Sequence, residues 1–263
     1  MFTLALVNQK GGVGKTTSAV TIAHGLAIAG ADVLLVDLDA QGNVADTLGL
    51  KKRGGLYELL FGERRGMATE LSGRERLEVV LGDKTTVEVK HRLAGMDFRE
   101  YALQQALEEF DCYDVCILDV APGVDILQVA ALVACTAFLI PVELSHLAVV
   151  GAGDALNSVA ELKKRSRGAC GRFIGVLPTF WERATNESRE QLQILVELFG
   201  EAGWPPVPLD VKAREAPAHG QTLWEYAPDC RALCGVEIEG LRRGGYKQVL
   251  ARLIREISNG RDA

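Results

Sequence analysis

Lys15 stands behind three glycines and ahead of two threonines, in the run Lys10-Gly11-Gly12-Val13-Gly14-Lys15-Thr16-Thr17. Residues of these types at this spacing can hold a chain of phosphates. Gly11, Gly12 and Gly14 let backbone N–H groups turn inward toward phosphate oxygens, and a helix beginning near Lys15 adds the positive end of its dipole. Lys15 supplies a mobile cation for β- and γ-phosphates, and Thr16 supplies a hydroxyl for Mg2+. The plain phosphate-loop pattern, G-x-x-x-x-G-K-[ST], asks for glycine where this chain has Gln9. The loop is therefore a deviant form, marked by the additional cation Lys10.

Three acidic residues stand where they could complete such a site. Asp37 and Asp39 close the run L-L-V-D-L-D, and Asp119 closes V-C-I-L-D. A carboxylate there can hold Mg2+, directly or through water, or orient an attacking water. A single Asp after a strand is most often a turn or N-cap residue. Three of them at one sheet edge, beside a phosphate loop, point to function instead.

The elements that must position these residues follow from hydrophobic patterning. Phe2 to Asn8 is a short, nearly continuous apolar run, as expected of a buried parallel strand. Val33 to Val36, Leu77 to Leu81, Val115 to Leu118, Ala137 to Pro141 and Phe173 to Leu177 read likewise. Helical patterns cover Thr16 to Ala29, Tyr101 to Phe110, Leu147 to Lys164, Arg189 to Phe199 and Tyr246 to Ile257. The alternation predicts an α/β fold: one domain over residues 1–263, with a largely parallel twisted sheet flanked by helices on both faces. Ligands of such sheets sit at the carboxyl ends of the strands, where the loop and the three Asp residues fall. Gly203-Trp204-Pro205-Pro206 reads as a turn inside that domain.

Composition narrows the function classes. With 48% hydrophobic and 24% charged residues, the 263-residue chain has an ordinary globular make-up. No run approaches the roughly 18 apolar residues of a membrane span. The first apolar run begins at Phe2, which leaves no space for a signal peptide and predicts a cytoplasmic location. The net charge of −6 is uneven: residues 1–160 carry 13 Lys and Arg against 21 Asp and Glu, and residues 161–263 carry 16 against 14. A basic patch for a polyanion is thus confined to the second part. The six cysteines include no C-x-x-C pair and read as reduced packing residues.

The motifs N-Q-K-G-G-V-G-K-T-T, L-L-V-D-L-D-A-Q-G-N and I-L-D-V-A-P-G together resemble the ParA family of partition ATPases, within the wider MinD/ParA deviant-Walker class. Further matches are I-P-V-E-L-S-H-L-A-V-V-G at 140–151, G-V-L-P-T-F at 175–180 and V-K-A-R-E-A-P-A-H-G at 211–220. The order and spacing of these segments make the resemblance specific.

The resemblance implies a P-loop NTPase that hydrolyses ATP with Mg2+. It implies that Lys10 reaches across a dimer interface to the partner's ATP phosphates, so that two subunits sandwich two nucleotides. Lys15 then binds phosphates in cis with Gly11, Gly12, Val13 and Gly14. Thr16 ligates Mg2+, Thr17 holds the α-phosphate, Asp39 attends the hydrolytic water, and Asp37 and Asp119 support the Mg2+ shell. Thr179 and Pro208 match positions that line the adenine pocket; read on their own, they are a strand-end hydroxyl and a turn proline.

ATP-bound dimers of the family bind DNA without sequence preference through basic residues of the second half. Arg183, Arg189, Lys212, Arg214 and Arg231 are the candidates here, with Lys212 and Arg231 nearest to matched positions. Such phosphate contacts are salt-sensitive. The implied partners are a second copy of the chain, non-specific DNA, and a ParB-like or cargo adaptor that stimulates hydrolysis. The implied location is cytoplasmic and nucleoid-associated, with a plasmid, a chromosome or a protein assembly as cargo.

The chain also departs from the family. The usual D-x-P-P is Asp119-Val120-Ala121-Pro122, an arginine common beside Thr185 is shifted to Arg183, and Cys230 to Gly245 looks longer than its equivalent. No helix-turn-helix segment precedes the loop. Two other readings stay open. A MinD-like membrane-cycling ATPase needs a C-terminal helix that inserts into lipid. Val249, Leu250, Leu253, Ile254 and Ile257 have the spacing but include no aromatic, and a core-packed helix accounts for them better. A metal-cluster protein of the same superfamily is disfavoured by the missing C-x-x-C.

Overall fold

The structure is a computed structural model that describes residues 1–63, 68–144 and 170–261, together with positions 153, 157, 160 and 164. Those four positions are helical; the rest of the helix expected over Leu147–Lys164 lies outside the described residues, as do positions 145–151 of the fourth motif.

Strands β1 (Phe2–Leu6), β2 (Val33–Asp37), β3 (Glu70–Arg74), β4 (Leu77–Val80), β5 (Val115–Asp119), β6 (Ala137–Glu143) and β7 (Arg172–Thr179) form one sheet. Their order is β3-β4-β2-β5-β1-β6-β7. Every pairing is parallel except that of β3 with β4. Central parallel strands must be apolar on both faces, because crossover helices cover both. β1, β2 and β5 are accordingly buried at every position. Leu34, Val36, Cys116 and Leu118 pack into one apolar cluster, and Val33, Leu35, Val115 and Ile117 into the other, as a period of two requires.

The sequence patterns locate the strands well and the short helices poorly. Helices Asn43–Leu48, Gly55–Phe61, Thr86–Ala94 and Ile126–Ala134 stand where no helix is expected from periodicity. Ile126–Ala134 reads I-L-Q-V-A-A-L-V-A and is buried on nearly every side, so it lacks a polar stripe. Its start is set by Asp125, whose carboxylate accepts hydrogen bonds from the N–H groups of Leu127 and Gln128. The helix expected over Tyr101–Phe110 is a 3-10 turn at Arg99–Tyr101 followed by a helix over Ala102–Leu107. The antiparallel edge strand β3 is likewise unexpected; its residues alternate in exposure and border solvent.

The last helix, Tyr246–Arg261, packs into the core. Val249, Leu250, Leu253 and Ile257 are buried, and only Ile254 among its apolar candidates is exposed, at 42%. The hydroxyls of Tyr246 and Ser18 lie 2.8 Å apart, joining this helix to Lys15–Ile28. A helix whose apolar face is spent on the core has little left for lipid. Among the described residues no helix is long and apolar enough to cross a membrane. The unassigned stretch before it holds a short helix, Arg231–Cys234, and a hairpin of β8 (Val236–Ile238) and β9 (Leu241–Arg243).

Candidate nucleotide site and the arginine cleft beside it

Strand register brings the acidic residues level with the loop. Leu6 of β1 pairs with Asp119 of β5, and Asp119 pairs with Asp37 of β2. The chain leaves β1 and enters the glycine loop through Asn8, which the motif reading passed over. Its side-chain amide donates to the Pro141 carbonyl at 2.7 Å, and its side-chain oxygen accepts the Lys10 N–H at 2.9 Å. Asn8 thereby moors the loop to β6. Gly12 and Gly14 have φ of 76° and 82°, a region that side chains with a Cβ avoid. Gly14 caps the helix Lys15–Ile28, so this helix presents its free N–H groups to the loop.

Lys15 is buried, and its ammonium donates to the Lys10 carbonyl at 2.9 Å. Burial lowers its pKa, and the nearby charges of Asp119 and Asp39 work against that fall. Asp37 is fully buried: one carboxylate oxygen accepts the Asp39 N–H at 2.9 Å and the other the Val44 N–H at 3.3 Å. Burial and the neighbouring charge of Asp119 raise its pKa well above the usual carboxylate range. Asp39 is half-buried, and its carboxylate accepts the Gln41 N–H at 2.9 Å.

Asp119 is the least satisfied group of the site. Burial pushes its carboxyl up to about 7; Thr16 and Lys15 lie close enough to favour the ionised form. Neither carboxylate oxygen completes a hydrogen bond among the described residues. A buried carboxylate left in that condition costs free energy unless a cation reaches it. A threonine hydroxyl and carboxylates make an all-oxygen donor set of the kind Mg2+ prefers. The residues present therefore fit Mg2+.

The loop opens into a cavity of about 510 Å³, within the usual size range of small-molecule sites. Gly11, Gly12, Gly14, Lys15, Thr16, Thr17 and Asp39 line one end. Thr179 and Pro208 line the same cavity, so both adenine-pocket candidates border it. Thr179 does more than border it: its hydroxyl donates to the Val13 carbonyl at 3.0 Å and pins the loop to the end of β7. Phe180, Leu209, Asp210 and Arg214 also line the cavity; the motif reading missed all four in this role, having named Arg214 only as a DNA candidate. Phe180 holds φ of 56°, a strained value for an aromatic residue, and its ring lies against Gly14. No local pattern announces it.

Lys10 behaves differently from Lys15. It is exposed at the rim, and its ammonium forms an ion pair of 3.0 Å with Glu143 at the end of β6. It does not line the cavity of its own subunit.

A second cleft, of about 980 Å³, lies on the far side of the segment 207–214. Residues 207–209 run alongside the end of β7, with Trp181 N–H donating to Val207 O and Leu209 N–H to Trp181 O, both at 3.0 Å. Pro208, Leu209 and Arg214 line both cavities. Arg183, Arg189, Arg214 and Arg231 all line the second cleft; Lys212 does not, and instead pairs with Glu215 at 2.8 Å. Buried Asp210 sets part of this geometry. Its carboxylate accepts the N–H of Lys212 at 3.0 Å, of Arg231 at 2.8 Å and of Ala232 at 3.4 Å, capping helices Lys212–Glu215 and Arg231–Cys234 together. None of the six cysteines is bonded to another, and among the described residues no group of three His, Cys, Asp or Glu could hold a metal ion by itself.

A glycine loop at a helix N-terminus, a buried lysine and level aspartates at the carboxyl edge of a parallel sheet define a P-loop nucleoside triphosphatase. Comparison with known proteins narrows this class. The family model of an AAA domain matches residues 1–170. The chain is 35% identical over 227 residues to the chromosome-partitioning ATPase Soj of Thermus thermophilus, covering 86% of this chain and 88% of that protein. Among solved structures it resembles the ATP complex of McdA from Cyanothece, at 25% identity, a TM-score of 0.76 and coverage of 87% and 92%. It also resembles cobyrinic acid a,c-diamide synthase from Mycobacterium smegmatis with bound ADP and magnesium, at 28% identity, a TM-score of 0.73 and coverage of 84% and 91%. The chain belongs to the ParA family of P-loop ATPases. It is an ATPase of the ParA/MinD positioning type, and ATP and Mg2+ are its ligands.

Proposed function

We propose that this chain, one ParA-type domain throughout, uses ATP as an assembly switch. Two subunits close face to face on two nucleotides, the closed dimer binds DNA without sequence preference, and hydrolysis dissolves it. Glycine-loop N–H groups, Lys15 and Thr17 bind the phosphates in cis. Bound Mg2+ supplies charge neutralisation at the phosphates, and Thr16, Asp37 and Asp119 surround it. Asp39 orients the attacking water; its carboxylate is held by the Gln41 N–H and borders the cavity. Positioning and charge neutralisation are most of what phosphoryl transfer needs. Thr179 and Pro208 flank the base, and DNA contacts fall to Arg183, Arg189, Arg214 and Arg231, with Lys212 at the margin. The relatives named for chromosome partitioning favour a DNA cargo, and a ParB-like or cargo adaptor that stimulates turnover completes the cycle. The working location is then the nucleoid, in the cytoplasm.

The observation that carries this reading is Lys10. A loop cation that points out of its own cavity and is held at the rim by a surface carboxylate is free to move to a better anion. A triphosphate on a second subunit is one. Sedimentation of the parent and of Lys10→Ala with ADP, ATP and a non-hydrolysable analogue tests it. The parent should dimerise with ATP and the analogue alone, and the variant should stay monomeric. Equal dimerisation of both proteins would refute the switch.

A further inference from the structure

The segment Gly235–Gly245, G-V-E-I-E-G-L-R-R-G-G, lies within the stretch Cys230 to Gly245 that looks longer than its equivalent in the family. It folds as the hairpin β8–β9, with Glu239 and Gly240 at its tip. The hairpin is firmly rooted. Gly235 and Gly244 have φ of 78°, and a Cβ on either would collide with backbone, at the Arg243 carbonyl and the Pro206 carbonyl respectively. Gly245 N–H donates to the Pro206 carbonyl at 2.8 Å, and the Gln248 side chain donates to the Arg242 carbonyl at 2.8 Å. Arg183 donates to the Glu237 carbonyl on the other strand at 3.0 Å. Val236 and Ile238 pack against the core, while Glu237 and its cross-strand partner Arg242 line the arginine cleft.

Arg242 is thus the fifth arginine of that cleft. Arg214, Arg231 and Arg242 make no side-chain hydrogen bond or ion pair among the described residues, and all three are exposed. The cleft has carboxylates in Glu182, Asp229 and Glu237, yet none of the three arginines is paired to them. Five guanidinium groups against three carboxylates leave the cleft with an excess of positive charge, and a row of phosphates relieves that excess with bidentate hydrogen bonds. Trp181 is the cleft's aromatic residue, and it is buried at 6% exposure, so no ring is available for bases to stack on. Its indole N–H has no acceptor among the described residues. Binding of single-stranded nucleic acid relies on exposed stacking faces, whereas a duplex offers its backbone alone.

We infer that the hairpin β8–β9 is one jaw of a clamp on the backbone of duplex DNA, with Arg242 joining Arg214 and Arg231 on neighbouring phosphates. This rests on the DNA-binding reading above and adds an element to it. The clamp shares the segment 207–214 with the nucleotide cavity, so nucleotide and DNA press on one stretch of chain.

The test measures binding of the full-length, ATP-loaded protein to a random-sequence duplex over a series of KCl concentrations, by fluorescence anisotropy. Arg242→Ala should weaken binding alike for all sequences and lower the salt slope by about one. Arg242→Lys should restore most of the slope. Arg243→Ala, one residue along β9 and outside the cleft, should leave it unchanged. Matching thermal melts certify that the variants fold. Parent-like slope in Arg242→Ala overturns the clamp while leaving DNA binding itself intact. Equal losses in the Arg242 and Arg243 variants overturn it too, since diffuse charge would then suffice. Tighter binding of a single strand than of the duplex overturns the choice of ligand. Failure of the parent to bind any DNA with ATP removes both this inference and the reading beneath it.

Discussion

At the carboxyl ends of β1, β2 and β5, charged groups are buried and held: Lys15 by the Lys10 carbonyl, Asp37 by two backbone N–H groups. Across the segment 207–214, the charged groups of the arginine cleft are exposed, and three of five guanidiniums have no partner among the described residues. The two regions share Pro208, Leu209 and Arg214 as a wall. Burial makes the first region precise and unforgiving, because each charge there is stabilised only by a specific neighbour. Exposure makes the second graded, because salt competes for every contact. A switch needs both kinds of site: one that recognises a small ligand without ambiguity, and one whose grip can be released.

The contrast predicts how variants on each side should behave, and the largest effect belongs to the buried side. Lys15→Ala should reduce ATP affinity by about a thousandfold or more, the loss of a buried charge-assisted contact. Titration calorimetry checks it, and near-parental affinity would break the assignment of the cavity. Asp39→Ala should keep ATP binding and dimerisation while lowering turnover by roughly a hundredfold or more; a phosphate-release assay that finds undiminished turnover excludes Asp39 as the water-orienting group. On the exposed side, Arg214→Ala combined with Arg231→Ala should weaken DNA binding by about tenfold to a hundredfold and reduce the salt slope by about two. A sharp, salt-independent loss would show that the cleft is no more tunable than the nucleotide site.

A smaller effect should come from pH. Burial raises the pKa of Asp119 from 3.8 to about 7 in the folded protein. The folded state therefore holds this proton more tightly than the unfolded chain does. The stability it contributes is complete below about pH 4 and is lost as the pH rises through about 7. Asp119→Asn removes the ionisation, so the variant should melt a few degrees above the parent near pH 8. The gap should close toward pH 5. Scanning fluorimetry without nucleotide measures it, and a gap independent of pH would mean that Asp119 is not an uncompensated charge. The smallest effect falls on the rim between the regions. The Lys10–Glu143 pair is half-exposed and worth under about 1 kcal/mol. Glu143→Gln should free Lys10 and shift the ATP-dependent dimerisation constant by no more than about fivefold toward dimer; weaker dimerisation in sedimentation equilibrium would show that Glu143 positions the lysine instead of restraining it.

Patterns a few residues long were enough to find the loop, the three aspartates and the strands that carry them. Gly12 and Gly14 sit at positive φ, Asp37 and Asp119 end strands in register, and the helix begins at Lys15, all from local chemistry. The helix Ile126–Ala134 escaped because burial on nearly all sides erases its periodicity, and β3 because an edge strand carries little apolar signal. Sequence patterns also left the last helix with two readings, core or membrane. The burial of Val249, Leu250, Leu253 and Ile257 decided for the core.

Contacts between distant parts of the chain were beyond the sequence. Thr179 reaches Val13 across 166 positions, Asn8 reaches Pro141 across 133, and Asp210 caps a helix 21 residues away. Local propensity carries no record of such pairings; they exist only once the sheet has set its order. The loop and its aspartates were thus determined by the sequence itself, because glycine backbone freedom and apolar strand ends act locally. The family resemblance grouped Arg183, Arg189, Arg214 and Arg231. Their meeting in one cleft with Arg242, and the exclusion of Lys212 from it, were decided by tertiary structure, because like charges separated along the chain meet only where packing brings their backbones together.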